Sequence, residues 1–326
     1  MKKGVFIFFP ILVVAAVNAQ STRGITGMRD TSFTVYNEYK KLVKNYPDIK
    51  MVEELPAGTV AEERDIEYCK TGDRKLLLDA FYPKQKYKAK RTAILIIHGG
   101  GWRSGNKTLH HPLAQHLALL GYACFTPEYR LSTEALYPAA VYDLISAIRW
   151  IKQNAANYNI DTSRVVALGH SAGGELAAFI GSTTGNEQSG NSCHTGISGN
   201  VNAVIDIDGT LAFIHPESGE GDDSKRISAA TYWFGYSKTE NPELWKQASP
   251  LTYAGKNTAP TLFLNSVVER MHAGRDDYIK ILDQYNIYSA VKTFEGAPHS
   301  FCLFDPWFEP MVKCIDEFLI KVFNSK

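Results

Sequence analysis

A serine with glycine at both second neighbours, Gly169-His170-Ser171-Ala172-Gly173, carries the most chemistry of any pattern in this chain. A serine hydroxyl is a weak nucleophile. It attacks an acyl carbon only when the backbone presents it clear of its neighbours and a base takes its proton. The flanking glycines permit a sharp turn and close passage of the backbone. A second cluster, His98-Gly99-Gly100-Gly101-Trp102, offers the other half of acyl transfer. Consecutive glycines have no Cβ, so their N–H groups can converge on an oxyanion. Gly100 and Gly101, with the N–H of Ala172, form the candidate oxyanion hole. A phosphate-binding loop is the competing reading of these glycines, but no Lys-Ser/Thr pair follows and the dinucleotide spacing is missing.

Both clusters must stand at strand ends to meet. Residues 164–167 form a short apolar run before the serine, and 175–180 suit a helix after it, which is the strand–turn–helix context the motif requires. Residues 92–97 are continuously apolar, as in a strand buried on both faces, and they end at His98. Around them strands at 122–127, 165–168, 261–264 and 289–294 alternate with helices at 111–120, 139–154 and 277–285. Residues 65–69 and 76–82, parted by Thr71-Gly72-Asp73, read as an antiparallel hairpin. The pattern predicts an α/β fold with a mostly parallel central sheet, helices on both faces and ligand sites at the carboxyl ends of the strands.

The chain has 326 residues and 44% hydrophobic content, enough for one large α/β domain. A formal net charge of +1 provides no field that would draw nucleic acid or an anionic surface. Lys2 and Lys3, an apolar stretch over 5–17 and the small residue Ala19 read as a cleaved signal peptide covering 1–19, too short for a stable membrane span. An exported protein is expected. Residues 20–64 would form a helix at 33–47 and a connector, and 65–326 the α/β domain. Five cysteines allow at most two disulfides, with Cys69 and Cys124 expected as buried apolar residues. His110, His111 and His116 read as a solvated loop running into a helix face, and Glu217, Glu220, Asp222 and Asp223 as a solvated acidic loop.

The chain resembles the α/β-hydrolase superfamily, in the esterase and lipase branch related to hormone-sensitive lipase and to secreted carbohydrate esterases. The residues that carry the resemblance are His98 to Trp102, Glu128-Tyr129-Arg130-Leu131, Tyr137-Pro138-Ala139-Ala140 with Asp143, and Gly169 to Gly174. Asp206-Ile207-Asp208-Gly209, His215-Pro216-Glu217-Ser218, Trp233-Phe234-Gly235 and His272-Ala273-Gly274-Arg275-Asp276 look like a narrower group of exported esterases found with pectin-degrading systems.

The resemblance implies the order serine, acid, histidine, with the histidine in a loop after the last strand. His299, in Glu295-Gly296-Ala297-Pro298-His299, is then the base, while His170 packs or orients. The acid is expected in the loop after strand 261–264, where register selects Glu269; Asp276, at the start of the next helix, is the rival. An insertion at about 209–259, after the sixth strand, would form a cap. Its Trp233, with Trp102, Arg270 and Arg275, is a candidate for binding a sugar or an acidic group, and the cap's aromatic residues read equally well as the cap's own core.

The implied function is a secreted serine carboxylic ester hydrolase. It would remove acetyl, or else methyl, esters from a plant cell-wall polysaccharide such as pectin, and it needs no cofactor or metal. Alternatives are an amide hydrolase of the prolyl-peptidase or arylformamidase type, and a non-catalytic carbohydrate-binding homologue. The partner expected is an ester-bearing polysaccharide or oligosaccharide; the oligomeric state is left open.

Overall fold

The computed structural model describes residues 20–85, 88–184 and 192–324, so the expected signal peptide lies outside the described residues. Along the chain run α1 (Val35–Leu42), β1 (Lys50–Met51), β2 (Ala61–Thr71), β3 (Arg74–Tyr82), β4 (Arg91–Ile97), α2 (His111–Leu119), β5 (Ala123–Pro127), α3 (Ala139–Gln153), β6 (Ile160–His170), α4 (Ala172–Ser182), β7 (Ala203–Ile207), α5 (Ala229–Phe234), α6 (Pro242–Gln247), β8 (Thr261–Asn265), α7 (Arg275–Gln284), β9 (Ser289–Thr293), β10 (Phe304–Asp305) and α8 (Phe308–Asn324). Eight of the strands form one sheet in the order β2-β3-β5-β4-β6-β7-β8-β9. Its β2-β3-β5 edge is antiparallel, and every later neighbouring pair is parallel. This is the mostly parallel α/β sheet with an antiparallel edge that the pattern predicts, and it has the α/β-hydrolase architecture that the resemblance implies.

Every residue of β4, β5, β7 and β8 is buried, as a sheet covered on both faces demands. Alternate side chains feed two cores. Leu95, Ile97, Val165 and Ala167 pack with Leu144 and Ile148 of α3 and Phe179 of α4. Ile94, Ile96, Val166 and Leu168 pack with Leu113 and Leu117 of α2 and Met311 and Ile315 of α8. Each such buried Leu or Ile contributes roughly 1.5–3 kcal/mol. The strand ends that carry His98, Ser171 and Asp208 are therefore anchored from both faces.

Several local expectations change. Strand β2 starts at Ala61, inside the expected connector, and a register irregularity between Glu63 and Ile66 accommodates Asp65 at φ 58°. Cys69 is not a free apolar residue: it forms a disulfide with Cys193 across 124 residues of sequence. Of the Gly-, Ser- and Asn-rich stretch 185–199, residues 185–191 lie outside the described residues. His110 and His111 are buried rather than solvated, and His111 bridges Asp79 Oδ2 (2.8 Å) and Glu54 Oε1 (3.1 Å).

The insertion between β7 and β8 contains α5, α6 and a 3-10 turn at Pro250–Tyr253. Phe213, Trp233, Phe234 and Trp245 are fully buried against one another and form its core. An arm over residues 20–34 crosses from this cap to the glycine loop. The Ser21 N–H donates to Gly235 O (2.7 Å) and Gln20 Nε2 to Phe234 O (2.7 Å). Further along, Asp30 O accepts from the Gly105 N–H (3.0 Å), and the Phe33 N–H donates to Ser104 Oγ (2.8 Å).

Candidate active site

Strand β6 ends at His170, and Ser171 takes φ 57° and ψ −121° before α4 begins at Ala172. Left-handed φ is costly for any residue with a Cβ, and here the surrounding packing imposes it. The neighbouring glycines show why. A Cβ on Gly169 would lie 2.0 Å from Gly173 O, and one on Gly173 would lie 2.2 Å from Ile97 O. The turn can press against the end of β4 only because both positions lack side chains.

His299 Nε2 lies 2.8 Å from Ser171 Oγ, and His299 Nδ1 lies 3.0 Å from Asp208 Oδ2. With the ring hydrogen on Nδ1, the serine hydroxyl donates to Nε2 and the imidazole donates to the carboxylate. The acid is thus neither Glu269 nor Asp276. Glu269 is exposed on the 3-10 helix Glu269–His272, and Asp276 is exposed in the first turn of α7, paired with Arg275 (2.9 Å). Asp208 stands one strand earlier than expected, just past the end of β7, with φ 52°. The loop after β8 supplies support instead: the Ser266 N–H donates to Asp208 Oδ1 (2.8 Å). Asp208 is wholly buried, which works to raise its carboxyl pKa, but hydrogen bonds from His272, His299 and Ser266 hold it well below the usual range.

Two further histidines fix backbone around this relay. His170 is buried, which pushes its imidazole down to about 3, and its Nε2 lies 3.0 Å from His299 O. The neutral ring therefore donates to the loop that carries the base, the orienting role expected of it. His98, pushed by burial to about 3, keeps Nδ1 2.8 Å from Gly99 O, and Tyr129 Oη donates to His98 O (2.9 Å).

Gly100 and Gly101 adopt φ 117° and 61°. Their N–H groups, and that of Ala172, have no acceptor among the described residues. Gly101, Ala172, Ser171 and His299 line one cleft of about 330 Å³, with Trp102, Arg226 and Arg270 also on its wall. Ser171 and His299 also open onto a wider space of about 770 Å³, bounded by Phe33, Glu38, Arg103 and Tyr232.

The remaining candidates divide. Trp102 lies on the wall, and its Nε1 donates to Glu175 Oε2 (2.9 Å) on α4. Burial pushes the Glu175 carboxyl well up, which favours its neutral form. Arg270 reaches the cleft and pairs with Glu220 Oε1 (3.3 Å). Trp233 does not reach it: its ring is 1% exposed and stacks on Trp102 at 4.9 Å as cap core. Arg275 is turned to Asn265 Oδ1 (2.7 Å), away from the serine cleft. Missed by the sequence reading were Asp208, His272, and the cleft residues Glu220, Asp222 and Arg226, the first two of these from a run read as merely solvated.

The BD-FAE family model matches residues 78–273. The esterase LipC of Mycobacterium tuberculosis is 24% identical over 242 residues, which is 70% of this chain and 58% of the relative. The carboxylesterase NlhH of the same organism is 40% identical over 88 residues, 27% of this chain and 28% of its own. The chain thus spans little more than half of the first relative and far less of the second. Among solved structures, a truncated form of carbohydrate esterase from gut microbiota superimposes with TM-score 0.68 at 23% identity, over 82% of this chain and 100% of that one. A butyrate-bound thermophilic esterase, Est2 of Thermogutta terrifontis, gives TM-score 0.66 at 22% identity, over 82% of this chain and 95% of that one. The likenesses to solved structures carry the fold.

Proposed function

Because the chain belongs to the BD-FAE family of α/β-hydrolases, we propose that it is a carboxylic ester hydrolase acting through Ser171, His299 and Asp208. The observation that carries this reading is the continuous relay of 2.8 Å from Ser171 to His299 and 3.0 Å from His299 to Asp208. His299 Nε2 takes the hydroxyl proton as Ser171 Oγ bonds to the acyl carbon, and the buried Asp208 stabilises the imidazolium. The N–H groups of Gly100, Gly101 and Ala172 receive the oxyanion. The protonated His299 then gives its proton to the departing alcohol. In the second half, His299 deprotonates water, which attacks the acyl-enzyme and frees Ser171.

The substrate we propose is an acetyl ester, with a methyl ester second, on a plant cell-wall polysaccharide such as pectin. One structural relative is named a carbohydrate esterase, which supports a sugar ester. Arg226 supports an acidic sugar: it lines the cleft beside Ser171 and has no hydrogen-bond or ionic partner among the described residues. A guanidinium without a counter-ion suits a uronate carboxylate. We also propose export, supported by the Lys-initiated apolar stretch over 5–17 and by the Cys69–Cys193 disulfide, a bond that persists in oxidising compartments.

Incubation with acetylated pectin, methylated pectin and acetylated xylan, with acetate and methanol measured separately, tests both levels. Release of acetate from pectin above that from xylan is expected. No product from any of the three would remove the polysaccharide reading. Retention of chromogenic acetate hydrolysis by a folded Ser171→Ala protein would remove the esterase mechanism.

A further inference from the structure

The Asp208 carboxylate serves two imidazoles. Oδ2 faces His299 Nδ1 (3.0 Å), and Oδ1 accepts from the Ser266 N–H (2.8 Å) and faces His272 Nε2 (3.2 Å). We propose that His272 is a positioning residue of the relay: it fixes the rotation of the Asp208 carboxylate so that Oδ2 stays on His299 while charge develops there. The proposal rests on the reading of Ser171, His299 and Asp208 as the catalytic relay.

Two observations make His272 a built part of the site. Its backbone is pinned to the chain that follows the acid, since Ala273 O accepts both the Leu211 and the Ala212 N–H groups (3.1 Å each). Its side chain is mostly buried, 13% exposed, while Asp208 is 0% exposed, so no bulk water competes for Oδ1. A carboxylate held by Ser266 alone keeps one donor and can swing about it. Held by two donors on Oδ1, it presents Oδ2 in one direction only.

His272 also connects the buried acid to the surface. It borders a cavity of about 440 Å³ whose other walls are Glu217 of the cap, Glu269 and Arg270 of its own 3-10 helix, and Arg275 and Asp276 of α7. Glu217 Oε2 is itself occupied by the Gly274 N–H (3.2 Å), and Arg275 by Asn265 and Asp276. Asp208 is the acceptor that the His272 ring faces at hydrogen-bond distance, and that contact holds Oδ1 so that Oδ2 stays on His299.

The test compares the parent protein with His272→Ala, His272→Phe and His272→Gln on a chromogenic acetate, with melting temperatures alongside. His272→Phe keeps the ring volume without the donor and serves if the alanine variant does not fold; glutamine keeps an N–H at similar reach. In the donor-free variants kcat is expected to fall about tenfold, the scale of one hydrogen bond to a charged group, with KM changed less than about twofold. The acid limb of the kcat/KM profile moves to lower pH, because a carboxylate that swings away stabilises the protonated base less, and His272→Gln restores both. The low-field Nδ1–H proton resonance of His299, which needs no substrate, moves upfield without His272. Unchanged kcat, pH profile and resonance in a folded donor-free variant would overturn the proposal. So would a loss in kcat that glutamine does not restore and that leaves the acid limb in place. A parent with no esterase activity would sink the catalytic reading instead, and the resonance would still decide the role of His272.

Discussion

Trp102 Nε1 donates to Glu175 Oε2 at 2.9 Å, so a side chain of the glycine loop is tied to the helix that starts at the nucleophile. The bond joins the candidate oxyanion donors at Gly100 and Gly101 to the one at Ala172. It is buried at both ends, with Trp102 4% and Glu175 1% exposed, and Glu175 Oε1 has no partner among the described residues. Trp102 also stacks on Trp233, so the cap bears on the same loop.

Trp102→Phe keeps most of the stacking but removes the indole donor, leaving the neutral Glu175 carboxyl wholly unsatisfied. Stability is expected to fall by about 1–3 kcal/mol. Turnover of a chromogenic acetate is expected to fall about tenfold to hundredfold as the donors lose alignment. Glu175→Gln, neutral like the buried acid it replaces, should stay close to the parent in both. Denaturant melts and kcat measure this, and a large loss in Glu175→Gln would mean that the acid acts as a charge.

Asp208→Asn should lower kcat by about 10⁴, because an amide in place of the carboxylate favours the wrong tautomer of His299. Glu269→Gln and Asp276→Asn, on exposed positions off the relay, should remain within about twofold of the parent. The three variants measured side by side at saturating chromogenic acetate separate the positions. A severe loss in Glu269→Gln would contradict the geometry at Asp208.

His170 gives a pH signature. Burial, and secondarily the charge of His299, lowers its pKa from 6.5 to about 3 in the folded protein. Between those values the unfolded chain binds a proton that the native state refuses, so stability is lost as pH falls below about 6.5. His170→Gln keeps a donor for His299 O and does not titrate. Its stability relative to the parent should therefore rise by about 1.4 kcal/mol per pH unit on acidification from 6 to 4.5, read from urea unfolding at each pH. A constant difference across that range would show that His170 is already charged.

The cysteines give a chemical count. Cys124, Cys302 and Cys314 are free, and Cys69 is joined to Cys193. Alkylation in denaturant should label three thiols before reduction and five after it. Because the bond closes a loop of 124 residues, Cys69→Ser should cost roughly 2–5 kcal/mol. Five thiols without reductant would remove the disulfide and one support for export.

Much of this site can be read from neighbours in sequence. The serine turn and the glycine loop are local: their glycines are needed by contacts within a few residues or across one strand pair, and runs such as 92–97 announce the strands that carry them. His299 follows from its place after the last parallel strand. The acid does not, because β7 and β8 end side by side and the loops that follow them leave the same sheet edge. Position after the strand favoured Glu269, while the tight turn at Asp208 and the Ser266 N–H decided for the other loop. The clue was the Asp-Ile-Asp-Gly run at the end of β7, where a glycine permits the turn that aims an acid back at the sheet edge. Trp233 was misread for a related reason. Composition says that a cap is aromatic but not which face of each ring is covered, and here Trp102 covers it. The Cys69–Cys193 pairing needed a fold that brings residues so far apart in sequence together.

The arm over residues 20–34 alters how a large molecule would use the cleft. It is bonded to Phe234 and Gly235 at the roof and to Ser104 and Gly105 at the floor, so it acts as a seam along one side. A roof sewn to its floor does not swing open with each turnover. The wide space beside Phe33 and Tyr232 and the narrower cleft meet at Ser171, and Arg226 borders both. For a bulky ester that seam argues for a standing opening onto Ser171, so its rate would be set by fit rather than by a gate.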